Sequence, residues 1–287
     1  MSNIRFSSEY ILVCSKMKNL TLTFICIICI WRAPLAQNGN YTMGARSASL
    51  GGASTTIGDE WALFNNIGGL SYHTQTTAFV SYRNLYGLPE FSSISFGATH
   101  PLWNGVSGLG FFRFGNDLYN EQRANLGFSN QFGIVSLGIN LSYYQLNIEG
   151  AGTSKNFIID FGGQARLIDQ LYFGAHVSNM NQATLSSTTD EKIPTIMKTG
   201  LSYRPNQNMM VNVELEKELE KEARLKLGLE HKMLEQFSIR TGFSTQPFEA
   251  SFGLGFTPGK IGVDYYYGNN PDLGDIHQFS ISYHFTK

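Results

Sequence analysis

The sequence predicts a transmembrane antiparallel β-barrel of about fourteen strands, and three observations carry that prediction. Segment 278–285 sets Phe279, Ile281, Tyr283 and Phe285 against Gln278, Ser280, Ser282 and His284. A side-chain period of two makes it a ribbon with one apolar and one polar face. No run of 18 or more apolar residues exists in the chain, which excludes a helical membrane protein. The same alternation recurs from residue 75 to the end, once in roughly 15 residues, between short polar turns, as barrel hairpins require.

Composition agrees. The 287 residues suffice for one large β domain or two ordinary ones. The chain is 42% hydrophobic with 30 Gly and 14 Tyr, yet its mean hydropathy is −0.14. A barrel strand needs only about 9–11 residues with alternate positions apolar, so average hydropathy stays low. A soluble β-sandwich shares this composition and remains the alternative at this point.

Residues 1–36 read as a leader. Lys16 and Lys18 precede an apolar run over 20–30, followed by Trp31, Arg32, Ala33, Pro34, Leu35 and Ala36. The run is too short to span a bilayer and suits a secretory signal. Cleavage is expected after Ala36, leaving Gln37 first, with Pro34 an imperfect residue at −3; Met1 and Met17 are both open as the start. Cys14, Cys26 and Cys29 all lie in this leader, and neither Cys26 nor Cys29 follows a small residue as a lipoprotein site would require. The mature chain therefore offers no disulfide framework and no thiolate metal site. Its 17 basic and 21 acidic residues give a formal charge of −4, and no basic surface argues for nucleic acid. The expected organisation is a cleaved leader (1–36), an N-terminal segment (37–74) and a barrel (75–287). A leader ahead of a barrel implies the outer membrane of a Gram-negative bacterium, with its lipids as partners and a monomer as the expected state.

Strands are expected near 75–84, 91–102, 105–115, 121–132, 133–146, 155–168 and 170–179. Seven more are expected near 194–205, 208–217, 221–233, 236–245, 248–257, 260–268 and 276–285. Their faces separate cleanly. Val135, Leu137, Ile139, Leu141 and Tyr143 alternate with Ser136, Gly138, Asn140, Ser142 and Tyr144. Phe248, Ala250, Phe252, Leu254 and Phe256 alternate with Glu249, Ser251, Gly253 and Gly255. In a sandwich the apolar rows would face each other; in a barrel they face lipid. Tyr82, Tyr143, Tyr203, Tyr265, Tyr267 and Tyr283 sit near strand ends, where an interfacial girdle belongs. The polar face is rich in glycine, including Gly108, Gly110, Gly127, Gly138, Gly162, Gly228, Gly242 and Gly253. These either permit sheet bending or leave room for another piece of backbone.

One stretch conflicts locally with the barrel. Residues 214–222 read Glu-Leu-Glu-Lys-Glu-Leu-Glu-Lys-Glu, all strong helix formers. Period two nevertheless persists through Val211, Val213 and Leu215 and again through Leu225, Leu227 and Leu229. A hairpin about residue 220 would set Glu214 opposite Lys226 and Glu216 opposite Arg224, a charge ladder toward the lumen.

No nucleophile elbow, zinc helix, phosphate loop or dinucleotide fingerprint is present. The six histidines lack metal-ligand spacing. His176 and Ser178 share a strand face, which is more often polar lining than a catalytic pair. The expectation is a non-enzyme with no cofactor and no metal.

Residues 44–53 (Gly-Ala-Arg-Ser-Ala-Ser-Leu-Gly-Gly-Ala) lack strand alternation, and 59–70 (Asp-Glu-Trp-Ala-Leu-Phe-Asn-Asn-Ile-Gly-Gly-Leu) read as one short helix. Together they resemble the N-terminal hatch of the long-chain fatty-acid transporter (FadL) superfamily, especially the branch of the type IX secretion barrel proteins PorV and PorQ. Asn66-Ile67-Gly68-Gly69-Leu70 departs from that family's Asn-Pro-Ala-Gly-Leu at two positions. The resemblance implies a fourteen-stranded barrel with an N-terminal lumenal hatch that binds or passes small hydrophobic molecules. For the secretion branch it implies instead an accessory or shuttle with secretion-system proteins as partners. On this reading Arg46 and Asp59 are polar anchors, Trp61, Leu63 and Phe64 shape an apolar path, and Asn65 and Asn66 complete the hatch motif.

Overall fold

The structure, a computed structural model, describes residues 42–185 and 192–285; the leader, its cleavage site and Gln37 lie outside the described residues. Fourteen strands follow one another: β1 (Thr77–Leu85), β2 (Ser92–Leu102), β3 (Gly105–Gly115), β4 (Tyr119–Phe132), β5 (Val135–Ile148), β6 (Gly152–Ile168) and β7 (Leu171–Ser178). The second half comprises β8 (Ile196–Asn206), β9 (Met209–Glu218), β10 (Arg224–Leu234), β11 (Phe237–Ser244), β12 (Glu249–Phe256), β13 (Ile261–Asn270) and β14 (Gly274–His284). Each pairs antiparallel with its sequence neighbour, and β1 closes on β14 with Ser81 opposite Ser280. The result is a closed fourteen-stranded barrel with no free sheet edge.

The helix-forming run 214–222 forms no helix: 214–218 complete β9 in period two and 219–222 make the turn to β10. β9 and β10 pair with Glu214 opposite Lys226 and Glu216 opposite Arg224. Two rows of outward Val and Leu hold the strand pattern, because inclusion in the ladder satisfies backbone groups that an isolated helix inside a barrel wall would leave unpaired.

The apolar rows face outward. Leu126, Leu141 and Ile159 lie side by side across β4, β5 and β6, and Leu126 and Leu141 are 57% and 46% exposed. Phe157, Leu201, Val213, Phe252, Phe279 and Ile281 continue this exposed band around the barrel. An apolar surface so extensive has no place in water, and it excludes the sandwich, whose apolar rows would be mutually buried. Among the described residues no helix is long and apolar enough to cross a membrane; the strands do so.

The two ends differ. At the end carrying Thr77 and His284, five of the six turns contain two residues. The opposite end has longer connections, the longest between Ser178 and Ile196. Barrels of this kind keep short turns on the periplasmic side and long loops outside. Trp103, Tyr203 and Tyr283 are exposed at the short-turn end and Tyr82 and Tyr143 toward the other, two aromatic belts flanking the band.

A lipid-facing band makes a direct prediction. Leu141→Arg, near the middle of β5, is expected to destabilise the barrel in liposomes by about 2–4 kcal/mol. Urea unfolding followed by heat-modifiable gel migration measures it; an unchanged midpoint would refute the outward assignment.

Candidate functional site

The segment ahead of β1 is folded against the inner wall. It contains two short helices, α1 (Ala45–Ser49) and α2 (Ala62–Asn65), and a 3₁₀ turn, η1 (Ile67–Tyr72). The single helix expected over 59–70 is therefore corrected: it breaks at Asn66, which is extended at φ −154 and ψ 100. Tertiary bonds cause the break. Asn66 Oδ1 accepts from the Gly68 amide at 3.1 Å, while its Nδ2 donates to the Thr55 and Gly163 carbonyls at 2.6 and 3.1 Å. These bonds to β6 and to the preceding loop outweigh a continued helical turn.

Backbone meets backbone where the wall carries glycine. A Cβ on Gly228 of β10 would stand 2.6 Å from Leu50 Cβ, and one on Gly138 of β5 would stand 2.7 Å from the Ile67 carbonyl oxygen. Neither distance is tolerable, so these positions admit glycine alone while the segment is docked.

The segment's polar backbone is answered by named wall residues. Glu214 Oε2 accepts from the amides of Ser54 and Thr55, both at 2.8 Å, and from the Thr55 hydroxyl. Lys226 Nζ donates to Glu214 at 3.1 Å, to Glu216 at 2.7 Å and to the Gly52 carbonyl at 3.3 Å. Glu216 further meets Lys198 at 3.6 Å and Arg224 at 3.7 Å. Asn212 donates to the Ala53 carbonyl, Arg204 and Gln164 to that of Thr56, and Ser280 Oγ accepts from the Ala45 amide. The charge ladder is thus more than a cross-strand pairing: Glu214 and Lys226 reach the N-terminal segment itself.

The remaining sequence-selected residues fall into two groups. Arg46 forms a two-point bond to Glu230 of β10 at 2.7 and 2.8 Å and meets Asp59 at 3.4 Å. Asp59 Oδ1 also accepts from the Trp61 amide at 3.1 Å. Asn65 joins both ends of the segment, accepting from the Met43 amide at 2.9 Å and donating to its carbonyl at 2.8 Å. Trp61, Leu63 and Phe64 form apolar contacts. Trp61 meets Phe79 of β1 edge-on at 4.7 Å between centroids, and Phe64 meets Phe79 at 6.4 Å. Leu63 fills the space above Gly108 and Gly127.

Sequence reasoning passed over the aromatic residues on the inner wall. Phe79, Phe112 and Phe114 lie buried on the nominally polar face of β1 and β3. One cluster joins Trp61, Leu63, Ile67 and Phe79; another joins Leu85, Phe112, Phe114, Tyr266 and Ile276; Met43 and Phe64 pack against both. At the long-loop end Phe91 stacks with Phe114 at 6.3 Å. A column of apolar side chains therefore runs from the long-loop end down to Trp61. The available signal was Phe111-Phe112-Arg113-Phe114, where Arg113 takes an outward position and the flanking phenylalanines turn inward.

Trp61 also borders a cavity of about 460 Å³ at the short-turn end, where Arg46, Asp59, Glu60, His73 and His284 contribute polar groups. Burial, reinforced by the charge of Asp59, pushes the Glu60 carboxyl up to about 8. Burial and the neighbouring His284 bring the His73 imidazole down to about 4. The Glu60–His73 contact at 4.0 Å is therefore an approach of two neutral groups at neutral pH, and no ion pair. Ser178 Oγ donates to Asp160 at 2.8 Å, so the Ser178–His176 juxtaposition does not form a nucleophile–base bond.

These features define a closed barrel whose inner wall binds an N-terminal segment bordered by an aromatic column. No protein-family model and no curated protein sequence matches the chain. Among solved structures, its fold is similar to that of the toluene transporter TbuX of Ralstonia pickettii, with a TM-score of 0.67 at 10% identity, covering 85% of this chain and 98% of that one. It is similar also to the toluene transporter TodX of Pseudomonas putida (TM-score 0.63, 13% identity, 84% and 97% covered). A FadL homologue of Pseudomonas aeruginosa gives a TM-score of 0.63 at 12% identity, with 85% and 98% covered. At such identities the likeness is one of fold.

Two predictions follow from the docking bonds. Glu214→Leu strands two buried amides and removes one of the carboxylates facing Lys226, so it is expected to weaken docking of the segment by roughly 3–5 kcal/mol. Limited proteolysis between residues 42 and 76 reads this as faster cleavage, and wild-type resistance in the variant would contradict it. For pH, the raised Glu60 favours the docked state below about 4.5 and loses that contribution as pH rises to about 8. The lowered His73 acts oppositely, losing its contribution as pH falls from 6.5 to about 4. The two slopes offset one another between 4.5 and 6.5, leaving a net fall between 6.5 and 8 of at most about 1.4 kcal/mol per pH unit. Glu60→Gln is expected to abolish that fall in protease resistance, and a fall that persists in the variant would assign it elsewhere.

Proposed function

We propose that the chain is an outer-membrane barrel that admits small hydrophobic molecules, with residues 42–76 acting as a lumenal plug. The observation that carries this reading is the aromatic column. Phe114, Phe112 and Phe79 line the inner wall from the long-loop end, where Phe91 stacks on Phe114, down to Phe64 and Trp61 of the plug, in positions where a polar channel would carry hydrophilic side chains. Such a lining offers an apolar solute a favourable site while the docked backbone occupies the lumen and opposes free flow of water. Fold likeness to proteins described as toluene transporters supports the same reading. Arg46, Asp59 and Glu230 then serve as the plug's polar anchors, and Leu63, Phe64 and Trp61 as its apolar face. The leader 1–36 supplies export, the outer-membrane lipids are the barrel's solvent, and the role is transport without catalysis. The alternative, a non-transporting accessory in type IX secretion, draws its support from the 44–70 motif alone.

The test uses cells producing the chain. Chain-dependent uptake of radiolabelled toluene is expected, and Phe112→Asp is expected to reduce it on the order of tenfold or more by burying a charge in the column. Deleting 43–72 should leave a heat-modifiable barrel with raised single-channel conductance. Uptake equal to the empty vector, together with a changed secreted-protein profile in a deletion strain, would favour the secretion role.

A further inference from the structure

We infer that the lumen beside the plug recognises a hydroxyl group on its apolar ligand, through Asn125 of β4 and Asn140 of β5. The inference rests on the transport reading above and narrows its substrate class. Asn125 and Asn140 are buried, at 4% and 1% exposure, and both face inward. Asn125 stands opposite Ser142 and Asn140 opposite Gly127, so the two are diagonal neighbours on one face of the sheet.

Their hydrogen-bonding capacity is incompletely used. Asn140 Nδ2 donates to Asp160 Oδ2 at 2.9 Å and to Ser142 Oγ at 3.2 Å. That fixes the amide orientation and leaves Oδ1 buried without a partner. Asn125 has a partner on neither Nδ2 nor Oδ1. Arg123, two residues earlier on the same face, pairs with Asp160 through one terminal nitrogen while its Nε is unpartnered. Buried polar groups are nearly always paired. Three neighbouring side chains with free capacity mark a place where a hydrogen-bonding group belongs.

The surroundings are apolar and belong to the aromatic column. Gly110 is the cross-strand partner of Asn125, and a Cβ there would meet Phe64 Cζ at 2.6 Å. A Cβ on Gly127 would meet Leu63 Cδ1 at 2.7 Å and Asn140 Oδ1 at 3.4 Å. Phe112 is the cross-strand partner of Arg123. The polar group of a ligand would thus rest on the asparagines while its body lies against Leu63, Phe64 and Phe112.

The pattern of free atoms selects the group. The Oδ1 atoms of Asn125 and Asn140 require a donor; Asn125 Nδ2 and Arg123 Nε require an acceptor. A carboxylate brings only acceptors, an ammonium only donors, and a hydrocarbon neither. A hydroxyl brings both on a single oxygen and is the smallest group that does; primary amides and protonated carboxyls share the pattern at greater size, and phenols and alcohols are the class tested.

The probes are radiolabelled p-cresol and toluene, which share a ring and a methyl group and differ by the hydroxyl. Uptake is measured in cells producing the full chain, with the empty-vector rate subtracted. The expected result is preference for p-cresol, with Asn125→Leu and Asn140→Leu each lowering p-cresol uptake on the order of tenfold and leaving toluene uptake unchanged. Where a leucine variant fails to give a heat-modifiable barrel, competition in the wild type decides: unlabelled p-cresol should suppress toluene uptake more strongly than the reverse. Equal handling of both probes, with symmetric competition, would overturn the inference, assign the free polar atoms to water and leave hydrocarbon transport standing. Absence of chain-dependent uptake for either probe would overturn the transport reading and this inference with it.

Discussion

Everything inside this barrel depends on one constraint: peptide backbone placed in a lumen must find its hydrogen bonds on the wall. A helix or strand satisfies itself, but residues 50–57 are neither, and they lie buried between α1 and α2. Their amides and carbonyls would be costly unless paired. The wall supplies the partners individually: Glu214 for the amides of Ser54 and Thr55, Lys226 for the Gly52 carbonyl, Asn212 for Ala53 and Arg204 for Thr56. Glu214 is tolerable as a buried charge because Lys226 and two amides face it at once. Glycine on the wall does the complementary steric work, since hydrogen bonds of this length require backbone to approach closely.

The same constraint divides the interior. Where the irregular loop docks, along β6 and β8–β10, the inner face is polar and charged: Gln164, Arg204, Asn212, Glu214, Lys226 and Glu230. Where α2 docks, the segment's own backbone bonds are largely satisfied within its turns, and the wall is free to be apolar. Phe79, Phe112 and Phe114 occupy that side. The aromatic column thus lies beside the regular part of the segment, and the charge ladder beside its irregular part. A purely apolar wall on the β9–β10 side would strand the amides of Ser54 and Thr55.

This division explains what the sequence disclosed. Strand positions, faces and the Glu214–Lys226 pairing were legible because period two is local and a hairpin turn fixes register. The inward glycines were visible as a class, but their two explanations differ only in what approaches them, which is a tertiary fact. Asn66 was misread for the same reason: helix propensity around it is adequate, and the bond to the Gly163 carbonyl that breaks the helix comes from 97 residues away. Phe112 and Phe114 were missed because an alternation count treats an apolar residue on the polar face as noise. Here the exceptions to the pattern are the residues that form the column, and Asn125 and Asn140, which fit the pattern, show their significance only through partners they lack.

Trp61 is where the two halves of the interior meet. Its ring packs on Phe79 and borders the polar cavity holding Glu60 and His73. It also lies against Gly44, at φ +84, where an added Cβ would stand 2.5 Å from the indole Cγ. The chain just before α1 therefore lies flat against the ring, held by the Asn65 bonds to Met43 and the Ser280 bond to Ala45. A solute descending the column in the proposed transport meets the indole before the cavity. Moving that ring requires displacing residues 43–45 or the Asp59–Trp61 turn. Both are tied to Arg46, the first by chain continuity and the second through Asp59, and Arg46 is bound to the wall at Glu230. The ring is thus held through Arg46 together with the Asn65 and Ser280 bonds. Burial opposes the charge of Arg46, but Glu230 more than compensates and holds it firmly protonated, so this anchor stays charged at any pH the membrane meets.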